Sequence, residues 1–352
     1  VTGVPETETE SPAELAERAT HEERLGHWDA SAGLFARAFR VALLSGSVEG
    51  AVDALRGQAR VRRNQARYGE AEELAVLSRE ISERHGLTRS AARAVNVLAL
   101  VRYAQQDWSG AKELYEQALE MALETGDDEL IGLTCLNLGV VANMQGDFRG
   151  ARVRYLESIG SAVRSGNKQN ELMAYNNLGL VCSDMRDWME AEVYFSRGIE
   201  ISERIGDTPQ TARLFMNRAE PLIHTGETER ARETLDRAET IAERIHDAEV
   251  LADIARFRGM ASRMDGEWDE AGRQLSLSLA LTRDAGLEMG HGETLMEVAS
   301  LRMDQGKPGE ARGSLLKART IFERLGAERD TRKADELLAA LEEREREAHR
   351  RA

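Results

Sequence analysis

The stretch Asn137–Gly166, NLGVVANMQGDFRGARVRYLESIGSAVRSG, is written again at Asn177–Gly206 as NLGLVCSDMRDWMEAEVYFSRGIEISERIG. Both begin Asn-Leu-Gly, place an aromatic after Asp (Phe148, Trp188), then Ala (Ala151, Ala191), and end on Gly (Gly166, Gly206), each mark recurring after 40 residues. A fixed period of this length signals stacked units rather than a domain closed around one core. Followed outward at the same interval, the aromatic position is held by Trp28, Tyr68, Trp108, Phe148, Trp188, Thr228, Trp268 and Pro308. Three places on, the residue is Ser31 and thereafter always Ala, from Ala71 to Ala311. Ten places on it is again small, as at Ala38, Ser78, Ser158 and Gly198. Eighteen places on stands Gly, from Gly46 to Gly326, with His246 the exception. Glycine there is the expected helix C-cap, because positive φ costs it nothing. The series yields eight units.

Each unit reads as two helices, A and B, joined by short turns; in the fourth, A is expected near Glu129–Gln145 and B near Arg149–Ser165. Small residues let the two backbones approach, and the residue at the seventh place after the mark (Phe35, Tyr115, Tyr155, Phe195) is expected to wedge between units. No unit buries its apolar face alone, so stability has to come from the stack. Residues 1–10 read as a disordered acidic tail, 11–327 as the array, and 328–352 as a C-terminal capping helix with Leu337, Leu338 and Leu341 on its inner face. Ser11 and Glu14 form a capping-box pattern at the start of order. Unit six is degenerate, and its Pro221 should bend or break helix A by removing an amide donor.

Composition narrows function by exclusion. With a net charge of −15, the 352-residue chain lacks the basic footprint of a nucleic-acid binder or of a protein that docks on anionic membranes. No apolar run approaches the roughly 20 residues of a membrane span, and the start of the sequence lacks a secretory pattern. Cys135 and Cys182 read as small buried apolar residues in separate helices, as in a cytoplasmic protein. The seven histidines are scattered, without metal-ligand spacing, and Gly290-His291-Gly292 has neither the strand nor the Lys-Ser/Thr of a phosphate loop. No catalytic residue, metal site or cofactor is therefore expected.

These marks resemble the tetratricopeptide repeat: Leu138-Gly139, Phe148, Ala151, Tyr155 and Ser158 match that family's pattern in order, as do Leu178-Gly179, Trp188, Ala191, Phe195 and Gly198. The resemblance covers residues 12–326. Its period of 40 rather than 34 is similar to kinesin light chains, Leu-Gly-Asn-type adaptors and the arrays of some bacterial regulators. It implies an all-α, right-handed superhelical solenoid of eight helix-turn-helix repeats with a C-terminal cap. It further implies that the A helices line a concave groove for a peptide or helix of a partner protein.

The expected groove residues follow from that alignment. Asn137, Asn177 and Asn217 recur every 40 residues, with Asn96 and Asn176 one place earlier in their helices. An asparagine amide both donates and accepts, so such a ladder can hold an extended backbone. Arg56, Arg60 and Arg63 share one helix face and, with Arg93, suit an acidic peptide or a terminal carboxylate. Met144, Met173, Met216, Met260, Met264, Met296 and Met303 fall on or near the same side, which would favour an amphipathic ligand if they are open. The leading expectation is an interaction scaffold. A regulatory or sensor module of a bacterial signalling or transcription-control system is the second reading, and a self-assembly module the third.

Overall fold

A computed structural model of the chain describes residues 10–351, with side chains through Glu343. All described secondary structure is α-helical. The A helices are α1 (Pro12–Arg24), α3 (Val48–Asn64), α5 (Thr88–Ala104), α7 (Asp128–Met144), α9 (Lys168–Asp184), α11 (Thr208–His224), α13 (Ala248–Met264) and α15 (Glu288–Asp304). The B helices are α2 (Trp28–Ser45), α4 (Tyr68–Arg84), α6 (Trp108–Thr125), α8 (Phe148–Ser165), α10 (Trp188–Ile205), α12 (Thr228–Ile245), α14 (Trp268–Asp284) and α16 (Pro308–Leu325). The eight pairs are followed by α17 (Glu328–Arg351), and the chain divides into two compact units, Val1–Ala174 and Tyr175–Ala352, with the boundary inside α9.

Local chemistry accounts for the regularity. Two of the B helices have an aspartate N-cap before their aromatic: Asp107 and Asp147 accept from the amides of Gly110 and Gly150 at 2.9 Å. A Cβ at Gly150 would stand 2.2 Å from Asp147 Oδ2, so glycine lets this carboxylate close tightly over the first turn. The aromatic is the first residue of helix B rather than a residue ahead of it. At the far end, Gly46, Gly126, Gly166, Gly206 and Gly326 close their B helices in the left-handed region.

Packing inside a pair follows from the Leu-Gly mark. A Cβ at Gly139 would lie 2.4 Å from the Tyr155 ring, and one at Gly179 would lie 2.6 Å from the Phe195 ring. Both rings are fully buried. Glycine on helix A thus forms the seat into which the aromatic of helix B drops. The small hydroxyl residues on helix B bond back to helix A, with Ser158 donating to the Gly132 carbonyl at 2.7 Å and Ser78 to the Val52 carbonyl at 2.9 Å. A helices also touch the next A helix: α1 meets α3 and α3 meets α5 in the first unit, while α11 meets α13 and α13 meets α15 in the second. The A helices therefore form the inner layer of each unit.

Unit six departs less than its sequence suggests. Helix α11 runs unbroken from Thr208 to His224 through Pro221. The proline sits in the last turn, where it forgoes one amide bond but has little helix beyond it to redirect, and its carbonyl accepts from Thr225 Oγ1 at 3.0 Å. His246 takes the left-handed cap conformation itself, with φ 57°. Of the acidic tail, residues 1–9 lie outside the described residues, whereas Glu10 is ion-paired with Arg18 and Arg37. Helix α17 covers the end of the array as expected: Leu341 is buried, and Leu337 and Leu338 pack on the Ala299, Ala311 and Leu315 cluster.

Candidate functional site: the inner faces of the A helices

Along each A helix a strip spaced i, i+4, i+7, i+11 faces away from the B layer. On α7 it is Leu133, Asn137, Val140 and Met144, none of them fully buried, with Met144 59% exposed. Asn137 Nδ2 is itself enclosed and has no hydrogen-bond partner among the described residues, as is Asn143 Oδ1 near the end of the same helix. Asn96 is placed differently. It is buried at 3% exposure and accepts from Thr134 Oγ1 at 3.4 Å, tying α5 to α7.

The four arginines of the first unit lie on α3 and α5, and most of their charge is met from within. Arg56 is buried against Asp53 at 2.5 Å, and Arg60 reaches Glu23 of α1 at 2.9 Å while lying 5.7 Å from the Phe35 ring centroid. Arg93 bonds Asp127 at 3.1 Å and Glu129 at 3.0 Å. Burial weakens the Arg93 charge, but those carboxylates outweigh it and the guanidinium pKa is raised. Arg63 donates to the neutral Asn64 amide oxygen at 2.6 Å. Burial lowers the pKa of Arg56 and of Arg63, chiefly by desolvation, so these two remain under-compensated cations.

In the second unit the asparagines link helices. Asn217 Nδ2 donates to Asn176 Oδ1 at 3.1 Å, and Asn176 Nδ2 donates to Asn177 Oδ1 at 3.3 Å, joining α9 and α11. Further along, arginines flanking the strip meet its acids. Arg256 lies between Asp253 at 2.8 Å and Glu293 at 3.1 Å, and 4.5 Å from the Phe257 ring centroid. Arg263 holds Asp304 at 2.8 Å and Glu297 at 3.7 Å, yet Glu297 Oε2 is enclosed without a hydrogen bond.

Carboxylates outnumber cations on this face, and that asymmetry sets their chemistry. Desolvation raises the pKa of Glu220, Glu293 and Glu297 despite the nearby guanidiniums. Burial lowers Arg256, but Glu293 and Asp253 more than reverse it, so its pKa is raised. One cation is well held; the acids around it are not. His224 stacks on Trp188 with ring centroids 4.1 Å apart, and its pKa is lowered by burial and then by Arg263 and Arg186.

The methionines divide. Met216 and Met260 are core, whereas Met144, Met173 and Met264 are exposed. Cys135 is buried, its thiol pushed up to about 12 by burial and by Glu157, and Cys182 is buried as well. Among the described residues no group of His, Cys, Asp and Glu could hold a metal ion, and no helix is long and apolar enough to cross a membrane. Sequence reading did not single out the carboxylates of the second unit. Glu297 could have been found, because it occupies the place of Asn137, Asn177 and Asn217 two units further on.

A family model described as "Tetratricopeptide repeat" matches residues 90–162 and 170–244. With the paired helices and the Leu-Gly seats, this identifies residues 90–162 and 170–244 as tetratricopeptide repeats, and the helix pairs on either side share their architecture. No curated protein matches the sequence. Among solved structures, it is similar to a Signal Transduction ATPase with Numerous Domains from Pyrococcus horikoshii that has a tetratricopeptide repeat sensor. The TM-score is 0.65 at 17% identity, covering 80% of this chain and 44% of that one. A Rap protein complexed with Competence and Sporulation Factor superposes with TM-score 0.57 at 11% identity, covering 95% of this chain and 98% of that one. The apo quorum sensor NprR from B. thuringiensis gives TM-score 0.57 at 16% identity, covering 77% of each chain. These likenesses establish the fold.

Proposed function

We propose that the inner faces of the A helices bind an extended or helical segment of a partner protein, making the chain a cytoplasmic interaction module. The observation that carries this reading is Asn137 Nδ2, an enclosed amide donor without a partner among the described residues, on a strip of half-open apolar side chains. An unpaired buried donor costs stability, and a backbone carbonyl of a bound segment would satisfy it. The exposed Met144 on the same strip suits an apolar anchor of that segment.

The reading is tested by selecting ligands for the purified protein from a displayed peptide library and measuring their affinity for Asn137→Ala. The amide has no internal bond to lose, so melting should be unchanged while affinity falls about tenfold, the loss of one buried hydrogen bond. Equal affinity for both proteins would refute it. A regulatory role is the second reading. It is favoured by the fold's likeness to proteins whose names include a sensor module and a quorum sensor, and to a Rap protein complexed with Competence and Sporulation Factor. In that case the selected peptide should change the small-angle scattering profile of the chain, whereas an adaptor would bind without such a change.

A further inference from the structure

Helix α17 does more than cover α16. Its first turn reaches the inner face of the second unit, where Arg329 is ion-paired with Asp184 at the end of α9, 145 residues earlier in the chain. One turn further along α17, Lys333 acts electrostatically on both Glu220 and Glu293. The cations of α17 are thus set against an excess of acid. Asp184, Glu220, Asp253, Glu293, Glu297 and Asp304 share this face with Arg256 and Arg263.

Two of these carboxylates lack hydrogen bonds among the described residues. Glu297 Oε2 is enclosed, with Arg263 3.7 Å away, and Glu220 is half-buried with no ion pair. Such oxygens need donors that carry positive charge, as guanidinium and ammonium groups do. Arg329 already shows what the face accepts. We propose that the inner face of the second unit is a receptor for an arginine- or lysine-bearing segment of a partner protein, and that Arg329 and Lys333 occupy it in the free chain. This rests on the reading that the A-helix faces hold a partner segment, and it adds the charge of that segment and its competitor.

The hold of α17 is light. The side chains of Arg329 and Asp184 are 41% and 23% exposed, and Lys333, 52% exposed, pairs with Asp330 on its own helix at 3.5 Å. Half-exposed pairs of this kind contribute little and are screened by salt. A segment that also donates to Glu220 gains a contact that α17 does not make.

The test uses the full chain and a fluorescein-labelled peptide of alternating arginine and alanine, acetylated and amidated, with a glutamate-for-arginine peptide as control. Fluorescence anisotropy should show binding of the basic peptide at low salt, its loss at high salt, and no binding of the control. The Arg329→Ala/Lys333→Ala protein should bind about tenfold more tightly, as expected on removal of an internal competitor, and Glu220→Gln/Glu297→Gln about tenfold more weakly. Hydrogen exchange over the first turns of α17 should accelerate when the peptide binds. Failure to bind the basic peptide, unchanged affinity in either variant, equal binding of the control, or unaltered exchange in α17 would each overturn the proposal. These failures are separable from that of the asparagine reading. Asn137→Ala tests the first unit alone and should leave binding of the basic peptide intact.

Discussion

On the A helices of the first unit burial penalises the arginines Arg56 and Arg63; on those of the second it penalises the carboxylates Glu220, Glu293 and Glu297. The helix-pair framework beneath them is the same. Gly139 seats Tyr155 in the first unit as Gly179 seats Phe195 in the second, and the arginines at 93 and 213 make matching ion pairs to the following repeat. The difference teaches that the packing marks fix the stack, while the exposed strip of helix A is free to vary in charge. A repeat chain can therefore present faces of opposite character without altering its core.

That comparison can be broken most severely at Arg256. Arg256→Ala would leave Asp253 and Glu293 without their cation, and urea unfolding should show a loss of about 3 kcal/mol, in the range for breaking a buried pair. The corresponding cut in the first unit, Arg93→Ala, removes a 39% exposed side chain and should cost about 1 kcal/mol. Equal losses would erase the proposed asymmetry.

The shared framework predicts the opposite pattern. Gly139→Ala and Gly179→Ala each push a methyl into a buried ring, so both should destabilise by about 2 kcal/mol, the usual size of overpacking. Unequal losses would show that the seats are not equivalent.

A smaller effect should have the reverse sign. Burial raises the Glu220 pKa above its unfolded value, so the folded chain holds that proton more tightly and stability is lost as pH rises through the folded pKa. Glu220→Gln should therefore raise stability at neutral pH by about 1 kcal/mol, with the gap to the parent protein closing as pH falls. Thermal melts of both proteins across acidic to neutral pH provide the measurement, and a gap that widens on acidification would contradict the assignment. The smallest gains are expected at backbone positions. Ala66 and Gln106 in the first unit and Arg186 in the second carry φ of 58°, 63° and 61° at the ends of A helices, where the other units use glycine. Replacing each by glycine should add about 0.5–1 kcal/mol in chemical denaturation, similarly in both units.

Much of the architecture was legible because the period repeats its physical causes. The first residue of helix B, most often aromatic, the small residue at the contact and the glycine stop return after 40 residues. Pro221 misled because its effect depends on where in the helix it falls, and the last turn tolerates it. The arginines grouped naturally as a ligand site by type and proximity in sequence. Their carboxylate partners were hidden because Glu23, Asp127 and Glu129 lie on other helices, 34 to 37 residues from the arginines they meet. The acidic face was obscured by abundance: with 62 acidic residues in the chain, no single glutamate stands out until burial does so. The contact of Arg329 with Asp184 spans 145 residues, a distance on which a local period is silent.

The ion pairs of Arg93 and Arg213 also constrain how such a chain can change length. Arg93 meets acids 34 and 36 residues ahead, and Arg213 does the same at Asp247 and Glu249. Duplicating or losing a whole repeat keeps the positions 34 and 36 residues ahead in the same geometry, although both acids stand there only at Asp127 and Glu129 and at Asp247 and Glu249. Inserting a few residues inside a helix would rotate the acids away, since each residue added turns a helix by about 100°. Insertions and deletions in this sequence should thus be tolerated as complete repeats or in the turns, and selected against elsewhere.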